Sequence, residues 1–296
     1  MKKILSYCLV ILASLTQISH AQSNKTKSSP LKITSLFITQ DAKTSSISIF
    51  RKNGKSPILT QVAKDNFRPF LHPILAPDGN GVLTEYSPGH HKHQTGIYWG
   101  YTRVNGRDYF HHPDGDYWRK SKASVIKNSG NEVKWETVYD LLDEKGNAVL
   151  TETQTWSMRE ENGKYLLKLI WTGEAKTDVT IGMYDYGGLF VRMPWKEGID
   201  GEVNNGARQK NEKAEGQRSN WVDVGIKIEG RKDRAHIAVF DHPENNGFPQ
   251  HWRVDNQLGI GVARARKGNW EIKKGKIETI KHEILVYTGN LKETEI

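Results

Sequence analysis

Short β-prone runs recur along almost the whole chain, and no stretch of ordinary length carries the apolar stripe of an amphipathic helix. The runs fall at 31–38, 46–50, 96–103, 133–142, 148–158, 166–172, 179–193, 236–240, 259–265 and 279–287. Several alternate with period two: Trp135, Thr137 and Tyr139 stand against Lys134, Glu136 and Val138. Between them lie turn-forming segments, such as 143–147 around Gly146 and 160–164 around Gly163. The stretch 209–218 is the best helical candidate, yet it is nearly all polar and reads as a surface loop. Many short strands joined by close turns predict an all-β fold, a large antiparallel β-sandwich.

The first 21 residues have the layout of a secretory signal: Lys2 and Lys3, an apolar core, then Ser19-His20-Ala21. Residues 22–30 are Ser, Lys, Thr and Asn with little apolar content, which predicts a flexible linker. The remainder, 31–296, reads as a single β domain. The one cysteine, Cys8, falls inside the signal, so the mature chain is expected to have no disulfide and no cysteine metal site. No later run approaches the roughly 20 apolar residues of a membrane helix, and the expected location is periplasmic or secreted. A net charge of +9 suggests a nucleic-acid partner, but the basic residues are scattered among acids. For an exported protein this charge fits an acidic glycan or a solvated surface better.

Six of the eleven histidines lie between Arg68 and Trp118: His72, His90, His91, His93, His111 and His112. Imidazoles exchange protons near neutral pH or bind metals, so such density marks a candidate site. His91 and His93 are two apart and would share one face of an extended strand, as an acid/base pair or as metal ligands. A divalent metal would need a third ligand, for which His111, His242, His251 and Glu85 are the candidates. Metal binding, metal-free acid/base chemistry and structural hydrogen bonding all remain open for this cluster. Asp114 and Asp116 could orient a histidine, but they lack a full calcium-loop pattern.

Further along, Tyr184 and Tyr186 would share a face, and Gly187-Gly188 inside a strand pattern marks a bulge or a close approach. Arg192 follows on the same alternation if no bulge intervenes, where it could anchor a carboxylate. The segment from Asp241-His242-Pro243 to His251-Trp252-Arg253 reads as a strand end and loop, with Trp252 as a sugar-stacking platform. Trp135, Trp156 and Trp171, inside alternating strands, are assigned to packing. There is no phosphate-binding glycine loop, nucleophile elbow or zinc-protease helix.

Four motifs in order carry a family resemblance: Arg68-Pro69-Phe70 with Pro77-Asp78-Gly79; the run from His91 to Gly100 with Asn105-Gly106; the run from Tyr186 to Pro194; and Phe240-Asp241-His242-Pro243 with Pro249 and Trp252. Together they resemble the bacterial family labelled "methane oxygenase PmoA-like". That resemblance implies a galactose-mutarotase-like β-supersandwich and work on sugars. Many members read His-His-Arg-Gly where this chain has His93-Gln94-Thr95-Gly96, so one imidazole and one guanidinium are missing.

The reading that follows is an exported carbohydrate-active protein whose chemistry is epimerase-like, lyase-like or glycoside-cleaving. Its expected catalytic residues are His91, His93, Tyr186, Arg192 and His242. Arg68, Glu85, Tyr98, His111, His251 and Trp252 are expected to bind the saccharide. A non-catalytic glycan-binding module of the cell envelope is the alternative, and a metal-dependent oxygenase the third.

Overall fold

The computed structural model describes residues 32–291. The expected signal segment, the expected linker 22–30 and Cys8 lie outside the described residues. Among the described residues, no helix is long and apolar enough to cross a membrane.

Two nine-stranded antiparallel sheets make up the fold. The first runs Gly201–Asn205, Trp221–Ile226, Ala235–Asp241, Ile277–Thr288, Lys164–Ala175, Ala148–Glu161, Val133–Leu142 and Trp118–Lys127, with Ile33–Thr34 attached to Ala148–Glu161. The second runs Trp252–Val254, Ile260–Val262, Gly188–Val191, Ile97–Gly100, Phe70–Ile74, Leu59–Val62, Ile47–Arg51, Leu36–Gln40 and Ser129–Gly130. The sheets meet through their inner faces. Trp99 of the second stacks on Trp171 of the first, with ring centroids 4.9 Å apart and planes 13° from parallel. Trp135 Nε1 donates across the same interior to Gln61.

The period-two rule accounts for this core. Along Val133–Leu142 buried and half-buried residues alternate, and Trp135 and Tyr139 enter the interior beside Trp156 and Trp171. The three tryptophans assigned to packing are all buried.

The predicted strands at 133–142, 148–158, 166–172 and 279–287 are all present, several extended by a few residues. The run at 179–193 is broken instead. Val179–Ile181 pairs with Trp270–Ile272 as a separate two-stranded ribbon, and only Gly188–Val191 joins the second sheet. The break spans 182–187 and closes at Gly187 and Gly188, whose φ values of 140° and 127° lie in the region that favours glycine. A Cβ on Gly188 would also stand 3.2 Å from the Val262 carbonyl oxygen, so the close approach expected there is real. Trp118–Lys127 is not among the predicted strands, because it is an edge strand with charged residues on its exposed side. The polar stretch 209–218 holds one 3-10 turn, Asn211–Lys213, in agreement with a loop.

Alternation also builds a second aromatic cluster on the outer face of the second sheet. Ile97, Trp99, Leu189 and Val191 point into the main core, so Tyr98 and Phe190 point away from it. There they join Phe70 and Phe110, with Phe67 and Tyr186 packed alongside.

Candidate functional site

Above this aromatic floor lies a cavity of about 110 Å³, lined by His91, His93, His111, Tyr186, Arg253 and Asp255, among others. Three loops and one strand end supply these groups, Tyr186 coming from the loop before Gly188–Val191. The first, between the bridge-paired residues Tyr86 and Thr95, carries the histidine pair. It is not the extended strand anticipated. The amide of His91 donates to the Pro88 carbonyl and that of Gln94 to the His91 carbonyl, so the backbone turns twice. Strand alternation therefore does not apply. The turns still bring the imidazoles together: His91 and His93 lie edge to face at 5.6 Å, and His93 lies 4.6 Å from His111.

The second loop, after Asn105-Gly106, holds the best-organised group. Asp108 Oδ1 accepts from the backbone amides of Phe110 and His111, both at 3.0 Å, which fixes the carboxylate. Its Oδ2 then lies 2.7 Å from His111 Nδ1. The carboxylate holds the proton on Nδ1 and leaves Nε2 to accept from the Tyr186 hydroxyl at 3.1 Å. Aspartate, imidazole and phenol thus form one hydrogen-bonded line that ends at the cavity wall. Burial raises the Tyr186 phenol above its ordinary pKa, and the neighbouring Tyr184 adds to this, so Tyr186 is protonated at neutral pH.

His93 is held by its backbone. Its carbonyl accepts from the buried Arg68, which also donates to the Phe110 carbonyl at 2.6 Å and lies flat on the Tyr98 ring at 3.6 Å. Burial, then the nearby His111 and Arg68, push the His93 imidazole down to about 3. His93 therefore enters the cavity as a neutral imidazole. Burial likewise lowers His91, with Arg192 the next cause.

The strand Trp252–Val254 and its end bring Arg253 and Asp255. Arg253 donates to Glu215 at 2.9 Å and lies over the Tyr186 ring at 5.6 Å, making it the guanidinium that lines the cavity.

Arg192, expected as the anchor for an acidic group, does not have that position. Its side chain is fully buried, and its donors go to Asp255, Gln94 and the Gln257 carbonyl. Alternation does place Arg192 on the outer face with Phe190, over whose ring it lies at 5.8 Å, but Asp255, Gln94 and the Gln257 carbonyl enclose it there. Arg68 and Tyr98 are also buried and sit beneath the cavity as its support. Trp252, expected as a sugar platform, is a core residue: 1 % exposed, with Nε1 donating to the Ser219 carbonyl at 2.7 Å. His251 Nδ1 donates to the Gly216 carbonyl, and His242 lines a different cavity with Lys281 and Glu283. Glu85 accepts weakly from the Trp195 amide at 3.4 Å. Of the expected residues, His91, His93, His111 and Tyr186 converge on the cavity. Asp114 and Asp116 are exposed and apart from it.

A divalent metal does not fit this set. Both nitrogens of His111 are engaged by Asp108 and Tyr186, and Asp255 is engaged by Arg192. Two imidazoles remain, fewer than the three protein ligands of a typical catalytic zinc. Among the described residues, no group of three or more His, Cys, Asp or Glu is arranged to hold a metal ion.

Sequence reading missed Asp108, Arg253 and Asp255. Asp108 had a local signal, an Asp three residues before a histidine in a turn, where an Asp side chain readily caps backbone amides. Arg253 ended the segment read as a site-bearing strand end and loop but was given no role there, and Asp255 had no signal, because it approaches from a strand end far along the chain.

Residues 54–296 match the model of a family described as one of unknown function. The motif resemblance to a methane-oxygenase label has no counterpart in that description. No curated protein matches the chain. Among solved structures, it is similar to a GH36 α-galactosidase from Geobacillus stearothermophilus (10 % identity, 85 % of this chain and 41 % of that one, TM-score 0.42). It is also similar to a galactose mutarotase related enzyme from Lactobacillus acidophilus (7 % identity, 84 % and 97 % covered, TM-score 0.38). A third is a GalM/aldose epimerase homologue from C. elegans (7 % identity, 88 % and 100 % covered, TM-score 0.36). The chain spans about two fifths of the galactosidase, at 41 % of its length.

Proposed function

We propose, for a chain that belongs to that family, DUF6807, that the histidine cavity is the active site of an exported enzyme that moves a proton on a sugar. The observation that carries this reading is the Asp108–His111–Tyr186 line, with contacts of 2.7 and 3.1 Å. A phenol that donates to an oriented imidazole can relay a proton. As Tyr186 takes a proton from the substrate, its own proton passes to His111 Nε2, and Asp108 stabilises the resulting imidazolium. In an epimerisation the planar intermediate turns over and takes the proton back from Tyr186 on its other face, as His111 returns its own to the phenol; in an elimination the β C–O bond breaks instead and the leaving oxygen takes the proton. Neutral His93, whose ring lies beside His111 at 4.6 Å, donates a hydrogen bond to the oxygen where negative charge builds up. Arg253 keeps its Nη1 on Glu215 at 2.9 Å, and the rest of its guanidinium, which lines the cavity, offers donors to a carboxylate or keto group, the role first expected of Arg192.

This favours an epimerase-like or lyase-like reaction over glycoside cleavage by paired carboxylates. That chemistry uses two carboxyl groups facing the bond. In this cavity Asp255, the carboxylate in the lining, is tied to Arg192, and Asp108 stands behind His111. The aromatic walls Phe110, Phe190 and Tyr186 suit the apolar face of a sugar ring. Export rests on the basic and then apolar start of the chain.

The test assays wild type and Tyr186→Phe on neutral and uronic-acid oligosaccharides. Solvent-deuterium uptake at carbon reports epimerisation, and ultraviolet absorbance of an unsaturated product reports elimination. The expected result is turnover by wild type and a loss of about 10²-fold or more in the variant, with binding kept. Binding without turnover in wild type would overturn the enzymatic reading in favour of a glycan-binding module.

A further inference from the structure

We infer that the outer face of the first sheet carries a second site, which binds a neutral saccharide without turning it over. Period-two alternation sets it up. Val222, Val224, Ile237, Val239, Ile284 and Val286 fill the main core. Trp221, Asp223, Gly225, His236 and Tyr287 therefore point the other way, to a cavity of about 430 Å³, within the roughly 300–1,000 Å³ range of small-molecule sites.

Gly225, His236 and Tyr287 stand opposite one another on three adjacent strands. A Cβ on Gly225 would come 2.2 Å from His236 Cε1, so the glycine makes room for the imidazole to lie flat. Tyr287 then stacks on it, with centroids 4.5 Å apart and planes 12° from parallel. Asp223 accepts from His236 Nδ1 at 2.9 Å and from the Tyr287 hydroxyl at 3.1 Å, although it is only 6 % exposed. A nearly buried carboxylate, imidazole and phenol are a costly way to cover the outside of a sheet, where apolar residues would serve stability better.

The wiring differs from that of the first site. There the imidazole stands between acid and phenol. In the second cavity the carboxylate does, so the Tyr287 proton is already committed and His236 does not contact the phenol oxygen as an acceptor. The arrangement fixes acceptors and ring faces in place but has no relay to the cavity. It suits holding a ligand.

The ligand class follows from the lining. Trp221 is half-buried and offers a ring face, and Asn204, opposite Asp223 on the neighbouring strand, offers an amide. Arg234 is bound by Asp200 at 2.7 Å and Lys210 by Glu202 at 2.9 Å, Arg208 in the same lining is engaged as well, and the Glu202 carboxylate stands among them, so among the described residues the lining offers no unpaired cation to select an anion. An aromatic face with a mixture of fixed donors and acceptors, and little free charge, matches the ring and hydroxyls of a neutral sugar. This second site does not depend on turnover at the first cavity.

The experiment applies an array of neutral and acidic oligosaccharides to the full chain, then titrates the strongest neutral ligand by calorimetry. Wild type is compared with Trp221→Ala, Asn204→Ala and His111→Ala, each checked for an intact melting transition. The expected result is neutral-sugar binding that weakens at least tenfold in Trp221→Ala, weakens measurably in Asn204→Ala, and is unchanged in His111→Ala and by added salt. Asn204 is only half-buried, so it keeps the test open if Trp221→Ala does not fold. The inference is overturned if no neutral oligosaccharide binds, if both outer-face variants bind as wild type does, or if His111→Ala alone abolishes binding. Loss of turnover without loss of this binding would bear on the first site only.

Discussion

His111 Nε2 stands 3.1 Å from the hydroxyl oxygen of Tyr186, a residue 75 positions further along the chain. The contact depends on the tautomer of the imidazole, and Asp108 sets that tautomer. In Asp108→Asn, the amide oxygen would keep capping Phe110 and His111, and the NH₂ group would face Nδ1. The imidazole proton would then move to Nε2, which could no longer accept from Tyr186. We expect kcat on the responsive sugar to fall by about 10²-fold or more, with KM and the melting temperature nearly unchanged. A melting temperature that fell in step with activity would mean that Asp108 matters only to folding.

Arg192 and Arg253 should separate cleanly. Arg192→Ala leaves the nearly buried Asp255 without its partner, which should destabilise the fold by about 3–5 kcal/mol in chemical denaturation. Arg253 is partly exposed and lines the cavity. Arg253→Ala should leave stability within about 1 kcal/mol while raising KM for a uronic-acid substrate by about tenfold or more. If instead Arg192→Ala were stable and impaired only in binding, the roles of the two arginines would be reversed.

Trp252 offers a contrast between core and platform. It is buried in the main core, so Trp252→Ala should cost about 3–5 kcal/mol by urea denaturation. A folded variant of unchanged stability that had lost sugar binding would restore the platform role.

Glu152 predicts a pH dependence of stability. It lies in the interior, accepts from Trp171 Nε1 and Gln154 Nε2 at 2.8 Å each, and is raised by burial to about 7. An unfolded Glu titrates near its ordinary value of 4.5. The folded protein therefore binds the proton more tightly, and the stability linked to it is present below pH 4.5 and lost as pH rises through 7. The size is roughly 3 kcal/mol. His93 acts in the opposite sense: its folded value of about 3 lies below the ordinary 6.5, so stability is lost as pH falls from 6.5 towards 3. Denaturation at pH 5 and pH 8 should show Glu152→Gln lacking the loss that wild type suffers at the higher pH. An identical slope in both proteins would remove Glu152 as its source.

What the sequence determined was local. Trp135, Thr137 and Tyr139 alternate because a strand with one buried face demands it, so the all-β class, the long strands and three core tryptophans were legible. The density of imidazoles between Arg68 and Trp118 marked the region of the site. Tertiary structure decided which side chains meet. Asp255, Gln94 and Gln257 closed over Arg192 and took its donors, and two turns in the loop after Tyr86 joined His91 to His93 without any strand. Packing buried Trp252, although its residue type suits a platform equally well. Arg253 and Asp255 reached the cavity only because Trp252–Val254 and Ile260–Val262 extend the same sheet as Gly188–Val191. Periodicity encodes which face of a strand is buried. It carries no record of which distant loop end a sheet will bring alongside, because that depends on pairing and closure of the whole fold.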